Sequence, residues 1–224
     1  LEQKERTDEA LLATTAKADR LLNEIEEMVA MNCTAVDIAY SPNDLYRLKR
    51  EGKKAIMLGI ENGYAIGKDL SRVAHFRKRG VVYMTLCHNG NNDICGSARY
   101  NEENLGVTPF GEQVIQEMNR LGMMVDLSHS GERTFYETLD ISSQPVVCSH
   151  SSSRALCDHP RNLTDEQLRA IARKGGVVQV CLYSGFLRKE RPAHILDAIE
   201  HLNHMVNVMG IECYVPEWFY RSFG

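Results

Sequence analysis

From Thr34 onward, short apolar runs alternate with charged, helix-competent stretches, and the runs are apolar at successive positions. A strand with one wet face alternates apolar and polar residues, whereas a strand buried on both faces reads as a continuous apolar run. The alternation therefore selects a parallel sheet covered by helices, either a (β/α) barrel or an open doubly wound sheet. The expected strands are Ala35–Ala39, Ala55–Ile60, Val81–Leu86, Met123–Leu127, Pro145–Cys148 and Val177–Leu182. Four of them follow a signal that stops a helix: Gly80, Gly122, Pro145 and Gly175-Gly176. Helix starts are equally legible. Thr108-Pro109 places a capping side chain ahead of proline, and Thr164-Asp165-Glu166-Gln167 is a capping box. Residues 1–31 carry Leu11, Leu12, Ala16, Leu21, Leu22, Ile25 and Met28 at spacings of three and four, the pattern of a leading amphipathic helix. No repeat, linker or low-complexity tract divides the chain, so residues 1–224 read as one domain.

Charge and composition narrow the ligand. The 26 basic and 30 acidic residues give a net charge of −4 without a basic block, which argues against a nucleic-acid groove. No apolar run approaches the roughly 20 residues of a membrane-spanning helix. A small-molecule or peptide ligand is expected. Seven scattered cysteines, an odd number, read as free thiols in a reducing compartment, and a cytoplasmic location is expected.

The chemistry lies where the strands end. Successive runs close on Glu61-Asn62-Gly63, Cys87-His88-Asn89, Ser128-His129-Ser130, Ser149-His150-Ser151 and Tyr183-Ser184. Parallel α/β folds gather the carboxyl ends of their strands on one side, where sites are assembled from separate strands. Glu61, His88, His129 and His150 are thus expected to converge, and imidazole with carboxylate suits a divalent cation such as zinc. Asp126 faces the same side as Ser128, either as a partner of that site or as a satisfied interior carboxylate. Arg161 falls in the loop before the capped helix, on the ligand side, where it could hold a substrate carboxylate by a two-pronged pair. Gly63, Gly175 and Gly176 read as turns or close backbone approaches. His201 and His204 read as helix-surface residues. A zinc knuckle at Cys148-x-His150 and Cys157-x-His159 has the wrong spacing. Ser151-Ser152-Ser153 lacks the elbow of a serine hydrolase.

Five segments carry a resemblance. They are Gly59-Ile60-Glu61-Asn62-Gly63, Tyr83-Met84-Thr85-Leu86-Cys87-His88, Met118–Gly122 with Val125-Asp126-Leu127-Ser128-His129, Pro145–Ser151, and Arg161-Asn162-Leu163-Thr164-Asp165. In this order they resemble the motifs of the membrane (renal) dipeptidase family, the M19 metallopeptidases, and most closely its bacterial members. The resemblance implies a (β/α)8 TIM barrel of the metal-dependent amidohydrolase type. It also implies two zinc ions bridged by a glutamate and a hydroxide, and hydrolysis of the amide bond of a dipeptide. Glu61 matches the bridging carboxylate, while His129 and His150 match imidazole ligands of one zinc. His88 matches the histidine that polarises the scissile carbonyl, and Arg161 the arginine that binds the substrate's terminal carboxylate. Tyr183 falls near a substrate-pocket tyrosine.

Two departures accompany the match. The family's first strand ends in a His-x-Asp pair that ligates the other zinc, and no His-x-Asp occurs in this chain. Residues 211–224 form a tail unlike the family's aspartate-bearing strand. Ligands for one metal site are present, and an incomplete barrel lacking about three of eight units is expected. Such a barrel leaves strand edges and apolar helix faces open, so a homo-oligomer is expected. The competing expectation is a truncated, catalytically impaired member that keeps only a metal- or carboxylate-binding pocket or serves as an oligomerising scaffold.

Overall fold

A computed structural model describes residues 7–211. The tail at 211–224 lies, beyond Ile211, outside the described residues. Helix α1 (Asp8–Met31) opens with Thr7 accepting the Ala10 N–H and buries Leu11, Ala18, Leu22 and Val29 along one stripe. Strand β1 (Val36–Ile38), helix α2 (Pro42–Arg50) and strand β2 (Lys54–Ile56) form a parallel pair, β1 beside β2. Then follow β3 (Leu58–Glu61), α3 (Ser71–Lys78), β4 (Val81–Thr85), α4 (Pro109–Leu121), β5 (Met124–Asp126) and α5 (Glu132–Ile141). The chain continues through β6 (Val147–Cys148), α6 (Asp165–Arg173), β7 (Val177–Val178), α7 (Ser184–Leu187) and α8 (Ile195–Met209). Among the described residues no helix is long and apolar enough to cross a membrane.

The five-stranded sheet runs β3-β4-β5-β6-β7, every pair parallel. Sheet order follows chain order without the reversal that defines a doubly wound sheet. The winding is that of a barrel wall, which resolves the alternative the sequence left open.

Two expected strands are corrected. Ala55–Ile60 is not one strand, because its halves pair with different neighbours: β2 with β1, and β3 with β4. The break falls at Met57, and the β3–β4 register shifts between Leu58 and Gly59, a bulge that bends the wall. Val177–Leu182 contributes only Val177–Val178. Gln179 still bonds Cys148 O and Ser151 N, but Leu182 stands exposed, with no strand beside it among the described residues. A ladder ends where neighbours run out.

Ile60, Met84 and Val125 sit side by side in register, are buried, and belong to the core with Phe76, Ile115, Met118, Phe135, Leu168 and Ile171 of the covering helices. Burial of this apolar set supplies the main driving force for the layered arrangement. The next register position is polar: Glu61 pairs with Thr85, and Thr85 with Asp126. Because strand side chains alternate, this row faces away from the helices, into the barrel side. The capping box of α6 is present with both bonds, Thr164 Oγ1 accepting from Gln167 N and Gln167 Oε1 from Thr164 N. The structural reading of the glycines also holds. Gly175 has φ 72°, and a Cβ on Gly176 would lie 2.3 Å from Val146 O.

Candidate metal centre

Glu61 closes β3, His88 and His129 each follow a strand by three residues, and His150 follows β6 by two. The barrel winding brings all four to one rim. His129 has φ 72°, and Asn62, beside Glu61, has φ 85°. These left-handed conformations cost a non-glycine residue on the order of 1 kcal/mol or more and persist only where surrounding bonds impose them. Around His129 the constraint is visible: its carbonyl accepts from Ala98 N at 2.7 Å and from the Cys87 thiol at 3.6 Å. Asn62 accepts from Tyr64 N through Oδ1.

Glu61 Oε1 lies 3.1 Å from His129 Nε2 and 3.1 Å from His150 Nε2, and the two imidazole nitrogens are 2.9 Å apart. His88 Nε2 is 3.8 Å from the same Oε1, and its ring lies 4.3 Å from that of His129. Tetrahedral zinc with bonds of about 2.0–2.1 Å places its ligand atoms about 3.3–3.4 Å apart. The observed triangle needs to open by only a few tenths of an ångström. One carboxylate and two imidazoles on such a triangle fit a divalent cation, and Glu61, His129 and His150 form the metal-capable cluster among the described residues.

The electrostatics keep these ligands in binding form. Burial pushes His129 down to about 4, opposed by its bond to Glu61 and aided by Arg161, His88 and His150 nearby. The bond to His129, together with His150 beside it, holds Glu61 far below the usual carboxylate range, against desolvation. At neutral pH the pair is a carboxylate beside a neutral imidazole, which is the state a metal requires. Among the described residues, His129 Nδ1 is buried without a hydrogen-bond partner.

A stability profile follows from these shifts. Between about pH 6.5 and 4 the unfolded chain binds a proton that folded His129 refuses, so stability rises with pH across this window, by on the order of 3 kcal/mol. Burial shifts His159 and His201 in the same direction. Glu61 contributes stability above its unfolded value near 4.5, so its share is nearly constant across that window. Urea midpoints of the metal-free protein from pH 4 to 7 should therefore climb with pH. A flat profile would contradict a neutral, buried His129.

Arg161 lies in the loop before α6, as expected, but it is not a solvated loop residue: only 3% of its surface is exposed. Its Nη2 donates to His150 O at 3.2 Å, its guanidinium lies 5.4 Å from the Phe186 ring centre, and its Nε has no partner among the described residues. Burial pushes its pKa down, and among the described residues no carboxylate lies within ion-pair distance. A buried, unpaired cation one residue's backbone away from the metal cluster is a site for an anion. Tyr183 is exposed, and its ring centre lies 4.8 Å from that of Phe186, the ring beside Arg161.

Other readings change. His201 is not on the surface: it is buried, accepts from Ser153 N at Nδ1 and donates to Leu187 O from Nε2. His204 is partly buried and bonds Asp165. Asp126 is a partner of the site, fully buried and bonded to Thr85 and Ser149. Tyr83, Thr85 and Ser149 were missed, and with Glu61 and His150 they line a cleft of about 270 Å³. The available signal was a polar residue inside an otherwise apolar strand, Thr85, at the register position of Glu61 and Asp126.

Comparison with known proteins agrees with this geometry. An uncharacterised dipeptidase of Schizosaccharomyces pombe is 41% identical over 169 residues, 73% of this chain and 41% of the relative. Dipeptidase 3 of Mus musculus is 33% identical over 200 residues, 87% of this chain and 41% of the relative. The chain thus spans about two fifths of the length of the curated relatives it matches. Among solved structures, an amidohydrolase from Pseudomonas aeruginosa superposes with TM-score 0.81 at 31% identity, over 86% of this chain and 59% of that one. A metallo peptidase from Rhodobacter sphaeroides, liganded with a phosphinate mimic of the dipeptide L-Ala-D-Ala, superposes with TM-score 0.78 at 27% identity, over 92% and 60%. The sequence model of the membrane dipeptidase family matches residues 2–214. With its barrel-type winding and its carboxylate–imidazole cluster at the strand ends, the chain belongs to the membrane dipeptidase family, peptidase family M19.

Proposed function

We propose that the chain supplies the metal-ligating and carboxylate-binding part of a zinc-dependent dipeptidase. The observation that carries this reading is the triangle of Glu61, His129 and His150, whose ligand atoms stand 2.9–3.1 Å apart, with Glu61 ionised and His129 neutral at neutral pH. Zinc held there would supply a Lewis acid and lower the pKa of a water toward 7. The chain's own residues do the rest. His88, on the edge of the triangle, donates an N–H to the scissile carbonyl oxygen as negative charge develops on it. Arg161 holds the carboxylate of the substrate's C-terminal residue through its guanidinium fork, fixing which amide bond faces the metal. Tyr183 and Phe186 form an aromatic wall beside that arginine. The dipeptide mimic bound by the Rhodobacter sphaeroides relative supports a dipeptide as substrate.

The test is hydrolysis of L-Ala-D-Ala by the purified chain, followed by release of free alanine. Turnover should vanish with a chelator, return with zinc, and fall by more than about 100-fold in His129→Ala. Turnover that survives this substitution defeats the site assignment.

A further inference from the structure

The geometry points to a hydrogen-bond relay, Asp126–Ser149–His150, that fixes the proton of His150 on Nδ1 and presents Nε2 as a bare lone pair to the metal. Asp126 and Ser149 are thereby positioning residues. The inference rests on the reading of Glu61, His129 and His150 as metal ligands.

Asp126 is fully buried at the end of β5. Its Oδ1 accepts two backbone N–H groups, those of Ser128 and Ser149, each at 3.0 Å. Its Oδ2 lies 2.6 Å from Thr85 Oγ1 and 2.5 Å from Ser149 Oγ. A carboxylate only accepts, so the hydroxyl protons of Thr85 and Ser149 both point at it. Ser149 has then spent its single proton. Its Oγ also sits 2.7 Å from His150 Nδ1, and that contact is a hydrogen bond only if the imidazole donates. The proton of neutral His150 is therefore on Nδ1, and Nε2, 3.1 Å from Glu61 Oε1, carries none.

The backbone keeps the relay in register. Ser128 Oγ accepts His150 N at 3.0 Å, and Leu127 N donates to Val147 O at 2.8 Å, so the two strand ends carrying Asp126 and Ser149 cannot slide apart. The other imidazole has no such device: among the described residues, His129 Nδ1 is buried without a partner. The two ligands differ in kind. His150 is preset for a metal, whereas His129 is held through the bonds to its backbone carbonyl and has nothing at its far ring nitrogen. Hydrogen bonding at the far ring nitrogen is the general means by which a ligand imidazole is oriented and its basicity raised, typically worth 10–100-fold in metal affinity.

The relay has a direction, and that makes Asp126→Asn informative. Two backbone N–H groups hold the amide oxygen at the Oδ1 position, so the amide NH2 faces the two hydroxyls. Ser149 then accepts from the amide and turns its own proton toward His150 Nδ1. The imidazole proton is driven to Nε2, the atom that would bind the metal.

The experiment has two arms. In metal-free protein with 15N-labelled histidine, at a pH above the ordinary imidazole value of about 6.5, multiple-bond proton–nitrogen correlation spectra report which ring nitrogen is protonated. Cobalt(II) titration of the same samples reports affinity. Wild type should show His150 protonated at Nδ1. Ser149→Ala should gain the Nε2–H form and lose 10–100-fold in cobalt affinity, while Ser149→Thr, which keeps the hydroxyl, should retain both properties. Asp126→Asn should show Nε2–H and bind cobalt at least as weakly as Ser149→Ala; if it does not fold, the Ala and Thr variants decide. Finding Nε2–H in wild type, or no change of tautomer and affinity in Ser149→Ala, overturns the relay. An Nδ1–H signal that Ser149→Ala abolishes, in a protein that binds no cobalt, keeps the relay and defeats the metal reading.

Discussion

Replacing Glu61 by alanine is expected to lower zinc affinity by more than about 100-fold while leaving the fold intact. A four-ligand structural zinc site is worth about 10–16 kcal/mol, so one ligand carries roughly 3 kcal/mol, which is about two decades in affinity. Glu61 is the only carboxylate of the cluster and the atom to which both imidazoles are drawn. Its side chain is 46% exposed, so truncation leaves no sealed cavity. Glu61→Gln keeps shape and an oxygen but loses the charge, and should fall between the two. Competition against a chromophoric chelator measures affinity, and thermal unfolding of the metal-free proteins checks the fold. Equal zinc affinity in wild type and Glu61→Ala would remove Glu61 from the metal's ligands.

Arg161→Met is expected to separate binding from folding. The arginine is buried without a carboxylate partner, an arrangement that costs the folded state desolvation energy. Methionine of similar length refills the space, so the melting temperature should hold or rise, the loss of the bond to His150 O being the opposing effect. For a dipeptide with a free carboxylate, KM should rise by about 100-fold, near the low end of the 2–5 kcal/mol attached to truncating one partner of a buried charge pair. For the corresponding dipeptide amide, which offers no carboxylate, wild type and variant should perform alike. An equal loss on both substrates would mean that Arg161 acts by holding His150 through its carbonyl and not by pairing with substrate. Arg161→Lys keeps the charge but not the fork, and should recover only part of the affinity.

The core and the element order were legible because burial on both faces leaves a continuous apolar run and because caps and glycines punctuate it. Thr108, Thr164 and Gly122 mark helix ends in the sequence and cap them in the structure. Strand lengths were less legible, since hydrophobicity extends past the point where a neighbour accepts hydrogen bonds. Leu182 is as apolar as Val178, yet only Val178 has a strand beside it. His201 looked superficial because helical spacing cannot reveal that the Ser153 loop and α7 close over it.

The site divides the same way. Identity and order of the cluster residues are sequence properties: Glu61, His88, His129 and His150 each stand at or just past the end of a strand, and a parallel barrel winding gathers strand ends whatever the loops do. State and direction are not. That Arg161 is a buried cation, that burial keeps His129 neutral, and that Asp126 reaches His150 through Ser149 are all set by packing, the last through contacts of 2.5 and 2.7 Å. Periodicity determines which face a residue takes. Only the packed structure decides which polar atom it meets there, because hydrogen-bond energy is lost over a few tenths of an ångström that no spacing in the chain encodes.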